Sequence, residues 1–274
     1  MKVQCEVGNR RPVRCRRLAS CFALYSLLSI GAIAQNSPRT VHVFVALADN
    51  KNQGIVPVPA KLGNGDDANG NLYWGAAYGV KTFFARSSDW KLLASGQHPK
   101  PEVLERCIFK HRVQNVYLIA DAYRGIQIKQ AIVDFLEAAA GGNPQQISAG
   151  TGPLVATVSA GGSADVVVYV GHEGLMDFQL PALPQSKNNS ARKTIILACL
   201  SKSYFREALR AAGAYPLLWT TGLMAPEAYT LKSALDGWIT NESNEQIREL
   251  AAAAYHRYQK CGLNAARRLL TTGW

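Results

Sequence analysis

The sequence predicts an α/β fold, a three-layer sandwich around a mostly parallel central sheet. Three observations carry that prediction. Five short β-branched runs recur along the chain: Val41–Ala48, Asn115–Ala120, Asp165–Val170, Thr194–Ala198 and Tyr215–Thr220. Their nearly continuous apolar character fits strands covered on both faces. Helical patterns lie between and after them, the alternation that builds helices onto both sides of a sheet. No repeat or linker interrupts the alternation, so residues 35–274 are expected to form one domain.

The bulk composition agrees. The chain has 274 residues, 48% hydrophobic and 18% charged, which is too apolar for a disordered protein. The net charge of +11 needs partitioning. Residues 1–34 hold six of the 30 basic residues and one of the 19 acidic ones, leaving 24 against 18 in the remainder. That remainder has no Lys/Arg run of five, so a nucleic-acid partner is not expected.

In chain order, residues 1–34 read as a cleaved secretory signal peptide. Basic residues precede the 14-residue apolar stretch Cys21–Ala34, which ends in the small residues Ala32 and Ala34. Cleavage is expected between Ala34 and Gln35, giving a secreted or periplasmic protein. The stretch is shorter than the roughly 20 residues a membrane-spanning helix needs, so no stable membrane anchor is expected. Export removes Cys5, Cys15 and Cys21 and leaves Cys107, Cys199 and Cys261. An odd count means one bridge and a free thiol, or three inert thiols.

The first strand, Val41–Ala48, is followed by a Gly-, Asn- and Asp-rich segment from Asn50 to Asn71, which reads as a long functional loop. Within it Asp67-Ala-Asn69-Gly-Asn71 faintly resembles a calcium loop but fits turns and caps better, because Leu72 and Tyr78 stand where Gly and Glu belong. Residues 89–112 look like an added strand pair. Ile128, Ala131, Ile132, Phe135, Leu136 and Ala139 make one helical stripe, ended by Gly141-Gly142. Residues 201–212 and 226–239 read as helices, Ser243 and Gln246 as a capping box for the next one, and about 263–271 as a last short helix.

In open α/β sheets ligands bind beyond the carboxyl ends of the strands. The residues read there are Asp49, Asp121, His172, Cys199 and Thr221. A thiol and an imidazole leaving two strands at one rim suit nucleophilic attack, with backbone N–H groups to hold an oxyanion. The start of the helix after Cys199 would favour the thiolate. His172 and Cys199 also have plainer readings, as a loop residue and a small core filler. A third possibility is a metal-dependent hydrolase using Asp49, Asp121 and His172. No zinc, phosphate-loop or serine-hydrolase motif occurs, and no cofactor is expected.

Two segments, Asp165-Val-Val-Val-Tyr-Val-Gly-His172-Glu-Gly174 and Lys193-Thr-Ile-Ile-Leu-Ala-Cys199, resemble the paired blocks of the caspase-like cysteine peptidases. That superfamily includes legumain, clostripain, gingipain and separase. The resemblance covers roughly residues 41–240, and implies a caspase-like sheet with His172 as general base and acid and Cys199 as nucleophile. By the same likeness the N–H groups of Cys199, Glu173 and Gly174 form the oxyanion hole. The substrate is a peptide or protein, and Thr221, Glu227, Asp66 and Asp67 are pocket candidates for a basic side chain. A nucleophilic Cys199 leaves Cys107 and Cys261 as the possible disulfide. Glu173 and Leu200 depart from the family pattern and suit an alternative, a catalytically silent module that binds a peptide or protein partner.

Overall fold

A computed structural model describes residues 37–150, 155–187 and 191–274. The proposed signal peptide, 1–34, and its cleavage point lie outside the described residues. Ten strands and six α-helices alternate along the described chain. Strand β1 (Arg39–Ala46) lies in the interior of an eight-stranded sheet. It pairs in parallel with β4 (Val116–Tyr123) on one side and β7 (Val166–Val170) on the other. Beyond β7 come β8 (Lys193–Leu197) and β9 (Tyr215–Thr220), both parallel, then the two-residue β10 (Leu270–Thr271), antiparallel. Beyond β4 come β3 (Val103–His111) and the edge strand β2 (Trp90–Lys100), the antiparallel pair expected near 89–112.

The five central strands are parallel for the reason their sequences suggested. Residues alternate between two buried faces, so apolar side chains dominate both, and the few polar ones, such as His42 and Asp121, are paired. Val41, Val43 and Val45 pack on one face beneath α1 (Val80–Arg86), α4 (Ala228–Ile239), α5 (Asn244–Gln259) and α6 (Leu263–Leu269). Phe44 and Ala46 pack on the other, beneath α2 (Ile128–Ala139) and α3 (Ser201–Ala212). This is a three-layer α/β fold.

The helices end where their sequences dictate. Helix α5 opens with the Ser243–Gln246 capping box, both halves formed. Helix α3 stops at Gly213, whose φ of +65° is the left-handed turn that glycine adopts without Cβ strain. Phe135 on α2 and Phe205 on α3 are fully buried and meet edge-to-face at 6.0 Å. Truncating either to Ala would cost about 3–5 kcal/mol through lost burial and the cavity left behind.

Three features differ from expectation. Helix α1 and a hairpin, β5 (Pro144–Ala149) with β6 (Ala156–Gly161), were not predicted. The hairpin covers Ile108 and Ile119 on the α2 face of the sheet. Asp121 does not follow a strand but lies inside β4, 1% exposed.

Candidate active site

Strands β7 and β8 are neighbours, with Val170 opposite Leu197 in parallel register. His172 and Cys199 each stand two residues past that pair, at the same level of the same rim. Pairing persists one residue further, where the Gly171 N–H donates to the Leu197 carbonyl at 3.2 Å. Adjacent strands run about 4.8 Å apart, so the two residues leave the sheet side by side.

The imidazole is oriented. His172 Nε2 lies 2.8 Å from Asp177 Oδ2. A carboxylate oxygen accepts, so Nε2 carries a proton, and in the neutral ring Nδ1 presents its lone pair. Asp177 also accepts the Gly54 N–H at 3.3 Å, which ties the loop after β1 to the His172 turn. The buried Tyr169 hydroxyl donates to the His172 carbonyl at 2.8 Å and fixes the backbone there. Asp177 was not anticipated from sequence; a carboxylate five residues after a rim histidine is the signal that was available.

The thiol is held differently. Cys199 is half-buried, and its sulfur contacts the Met224 backbone twice, accepting the N–H at 3.3 Å and donating to the carbonyl at 3.6 Å. No hydrogen bond joins His172 to Cys199 among the described residues. Leu200 follows with φ +50°, a left-handed turn, and α3 begins at Ser201, so its N-terminal end points at the Cys199 region. Tyr73 is buried close by: burial pushes its hydroxyl well above the ordinary value, and the Cys199 and Glu227 charges add to that.

The predicted site residues divide sharply. Glu227, at the N-cap position of α4, is half-buried and acts, like Cys199, on the Tyr73 and Tyr255 hydroxyls. Its Oε2 accepts from the Tyr229 hydroxyl at 2.8 Å and from Gln259 at 3.1 Å. Burial raises its pKa, and those two donors hold the rise back. Thr221 donates its hydroxyl to the Arg268 carbonyl at 2.6 Å, which ties it to α6. Asp66 is paired with Arg124 at 2.6 Å, beyond β4, and Asp67 accepts the N–H groups of Asn69 and Gly70 within its own turn. Neither faces the thiol by any contact.

The backbone donors divide too. The Gly174 N–H is committed to the His172 carbonyl at 3.0 Å and leaves the oxyanion set. The N–H groups of Cys199 and Glu173 have no partner among the described residues.

Two further expectations fail on geometry. Asp49 is locked into its own turn by the N–H groups of Lys51 and Asn52. Asp121 is held by Arg106 through two bonds of 2.6 Å and by His42 at 3.2 Å. Asp49, Asp121 and His172 therefore have separate partners and cannot form one metal site. Cys107, Cys199 and Cys261 are all free. The expected Cys107–Cys261 bridge does not form, because Cys107 is sealed in the core on β3 and Cys261 is exposed after α5. Burial, first of all, pushes the Cys107 thiol up to about 12.

Fold and rim together define an α/β protein with an oriented histidine beside a half-buried cysteine. Compared with known proteins, the chain matches no family model, no curated protein and no solved structure. Among the described residues no helix is long and apolar enough to cross a membrane.

Proposed function

We propose that this chain is a divergent caspase-like cysteine endopeptidase, exported after removal of residues 1–34. The observation that carries the reading is the pairing of β7 with β8, which brings His172 and Cys199 off adjacent strands at equal height. In this reading His172 Nδ1 takes the Cys199 proton while sulfur attacks the peptide carbonyl carbon. The carbonyl oxygen, now negative, is received by the N–H groups of Cys199 and Glu173. The C–N bond then breaks, and the amine leaves with the proton from His172. Water, deprotonated by the same imidazole, cleaves the thioester and restores the thiol. Asp177 keeps Nε2 protonated throughout. Glu227 is a pocket candidate and favours a basic side chain in the substrate, since a half-buried carboxylate pairs best with guanidinium or ammonium.

A second reading has its own support. The Met224 backbone occupies both hydrogen-bonding sides of the Cys199 sulfur, which suits a silent module that binds a peptide or protein at this rim without cutting it.

Cys199→Ala separates the two. On the first reading it abolishes hydrolysis of a peptide library while the thermal unfolding curve barely moves, and His172→Ala slows hydrolysis by about 10²–10⁴-fold. Equal hydrolysis by wild type and Cys199→Ala removes the peptidase reading. Peptide binding without hydrolysis in both supports the second.

A further inference from the structure

Glu173 follows His172 directly, and its side chain is fully buried at 0% exposure. One carboxyl oxygen, Oε1, accepts the Leu175 N–H at 3.2 Å and caps the short 3-10 turn Gly174–Met176. The other, Oε2, is buried with no hydrogen-bond partner. A bare, buried oxygen is costly on a carboxylate and far less so on a neutral acid.

The Leu175 N–H favours a negative charge there, but less than burial opposes it. Asp177, in the same turn, opposes it, and the Tyr169 hydroxyl on β7 is itself pushed up by Glu173 after burial. The turn packs on α2 and α3. From α2, Lys129 lies over the Phe178 ring at 5.7 Å, and from α3, Glu207 lines a shallow hollow with Leu175 and Phe178. Neither donates to Glu173. His172 gives its Nε2 proton to Asp177. The next residue is tightly packed as well, since a Cβ added at Gly174 would meet Phe178 at 2.7 Å and Ile132 at 3.0 Å.

We propose that Glu173 is a positioning residue for the His172–Asp177 pair: as a neutral acid it holds the 173–178 turn, and on ionising it releases that turn. The proton goes to solvent, and the buried charge can reach water only if the turn moves. Asp177 travels with the turn, so His172 then loses the partner that fixes its tautomer. This deepens the reading above by naming what regulates that site. Burial, with Asp177 adding to it, raises the Glu173 carboxyl to about 8, so the His172–Asp177 contact is lost as pH rises through that value.

The test uses the full chain with ¹⁵N-labelled histidine. Infrared spectra at pH about 6.5 should contain a protonated-carboxyl band that Glu173→Gln lacks and that titrates away with a midpoint near pH 8. Over the same range the hydrogen-bonded Nε2 proton of His172 should vanish in wild type and persist in Glu173→Gln. An ionised Glu173 at pH about 6.5, or a His172 signal that fades equally in both proteins, overturns the proposal. If Glu173→Gln does not fold, the wild-type midpoints decide: coincident ones support the coupling and separate ones overturn it. Neither measurement needs peptide cleavage. Coupled titration without hydrolysis keeps this inference and removes the peptidase reading; hydrolysis without coupling does the reverse.

Discussion

The molecule contains the same pair of side chains twice, a histidine Nε2 against an aspartate Oδ2, at 3.2 Å for His42–Asp121 and 2.8 Å for His172–Asp177. The first is inside the sheet, both residues 1% exposed; the second is at the rim, where His172 is 10% and Asp177 43% exposed. Every remaining polar atom of the first pair is used. His42 Nδ1 accepts the Gly161 N–H at 2.9 Å, and both Asp121 oxygens bind Arg106. In the second pair Nδ1 has no partner among the described residues. An identical contact therefore serves structure where its spare valences are filled, and is available to chemistry where one is left open.

Three experiments press on that difference, ranked by their effect on folding. Asp121→Ala should cost the most, about 3–5 kcal/mol, because it strands the Arg106 guanidinium and the His42 ring in a buried place. Urea unfolding at neutral pH measures it, and a loss under about 1 kcal/mol would mean that the buried pair does not hold the sheet.

The second concerns acid. Burial acts to raise Asp121, but hydrogen bonds from Arg106 and His42 outweigh it and hold its pKa down at about 2, below the ordinary 3.8. A depressed carboxyl contributes stability above its unfolded pKa and loses it as pH falls through the folded one. The contribution, on the order of 2 kcal/mol, should therefore disappear between about pH 4 and pH 2. Asp121→Asn should lack that component, and identical acid slopes for the two proteins would count against the assignment.

The smallest effect on folding belongs to Asp177→Asn. Its carboxylate is exposed and the pair is worth at most about 1 kcal/mol to stability. On the peptidase reading the cost appears elsewhere, since an amide can turn its NH₂ toward Nε2 and stabilise the wrong tautomer. Hydrolysis should then fall by about 10²–10⁴-fold with the melting curve almost unchanged. A large drop in melting temperature would place Asp177 with Asp121, as a structural residue.

Much of the fold was legible because its signals are one-dimensional. The β-branched runs fall on β1, β4, β7, β8 and β9 within about three residues at each end, and the Ser243–Gln246 box starts α5 where expected. Helix α1 escaped because seven residues without a capping side chain are too few for a period, and such a helix is stable only through Val80 and Phe84 packing below it. The β5–β6 hairpin escaped because Pro144-Gln-Gln-Ile-Ser-Ala149 and Ala156-Thr-Val-Ser-Ala-Gly161 each carry one bulky apolar residue. Asp121 was taken for a strand end because a charge normally marks one; Arg106, fifteen residues earlier in sequence, is what lets the strand continue through it.

The site follows the same division. The placement of His172 and Cys199 at one rim was legible because each is defined by its distance from its own strand. The partners of Thr221, Asp66 and Asp67 were not legible, because composition reports that a loop is acidic or polar, not which groups already occupy its side chains. Asp177 and Glu173 depend on a turn whose geometry only the folded chain fixes.

An open sheet of eight strands has two outer edges, and each is a template on which another chain can grow. Here neither offers a usable row of donors and acceptors. Edge strand β2 slips register twice against β3, between Leu92 and Ala94 and between Gln97 and Lys100, and it carries Lys91, Pro99 and Lys100. At the opposite side β10 is two residues long. A protein with so large a sheet would ordinarily risk fibril-like growth when concentrated. The bulges and lysines of β2 and the brevity of β10 deny a second chain the straight run of pairing that such growth requires.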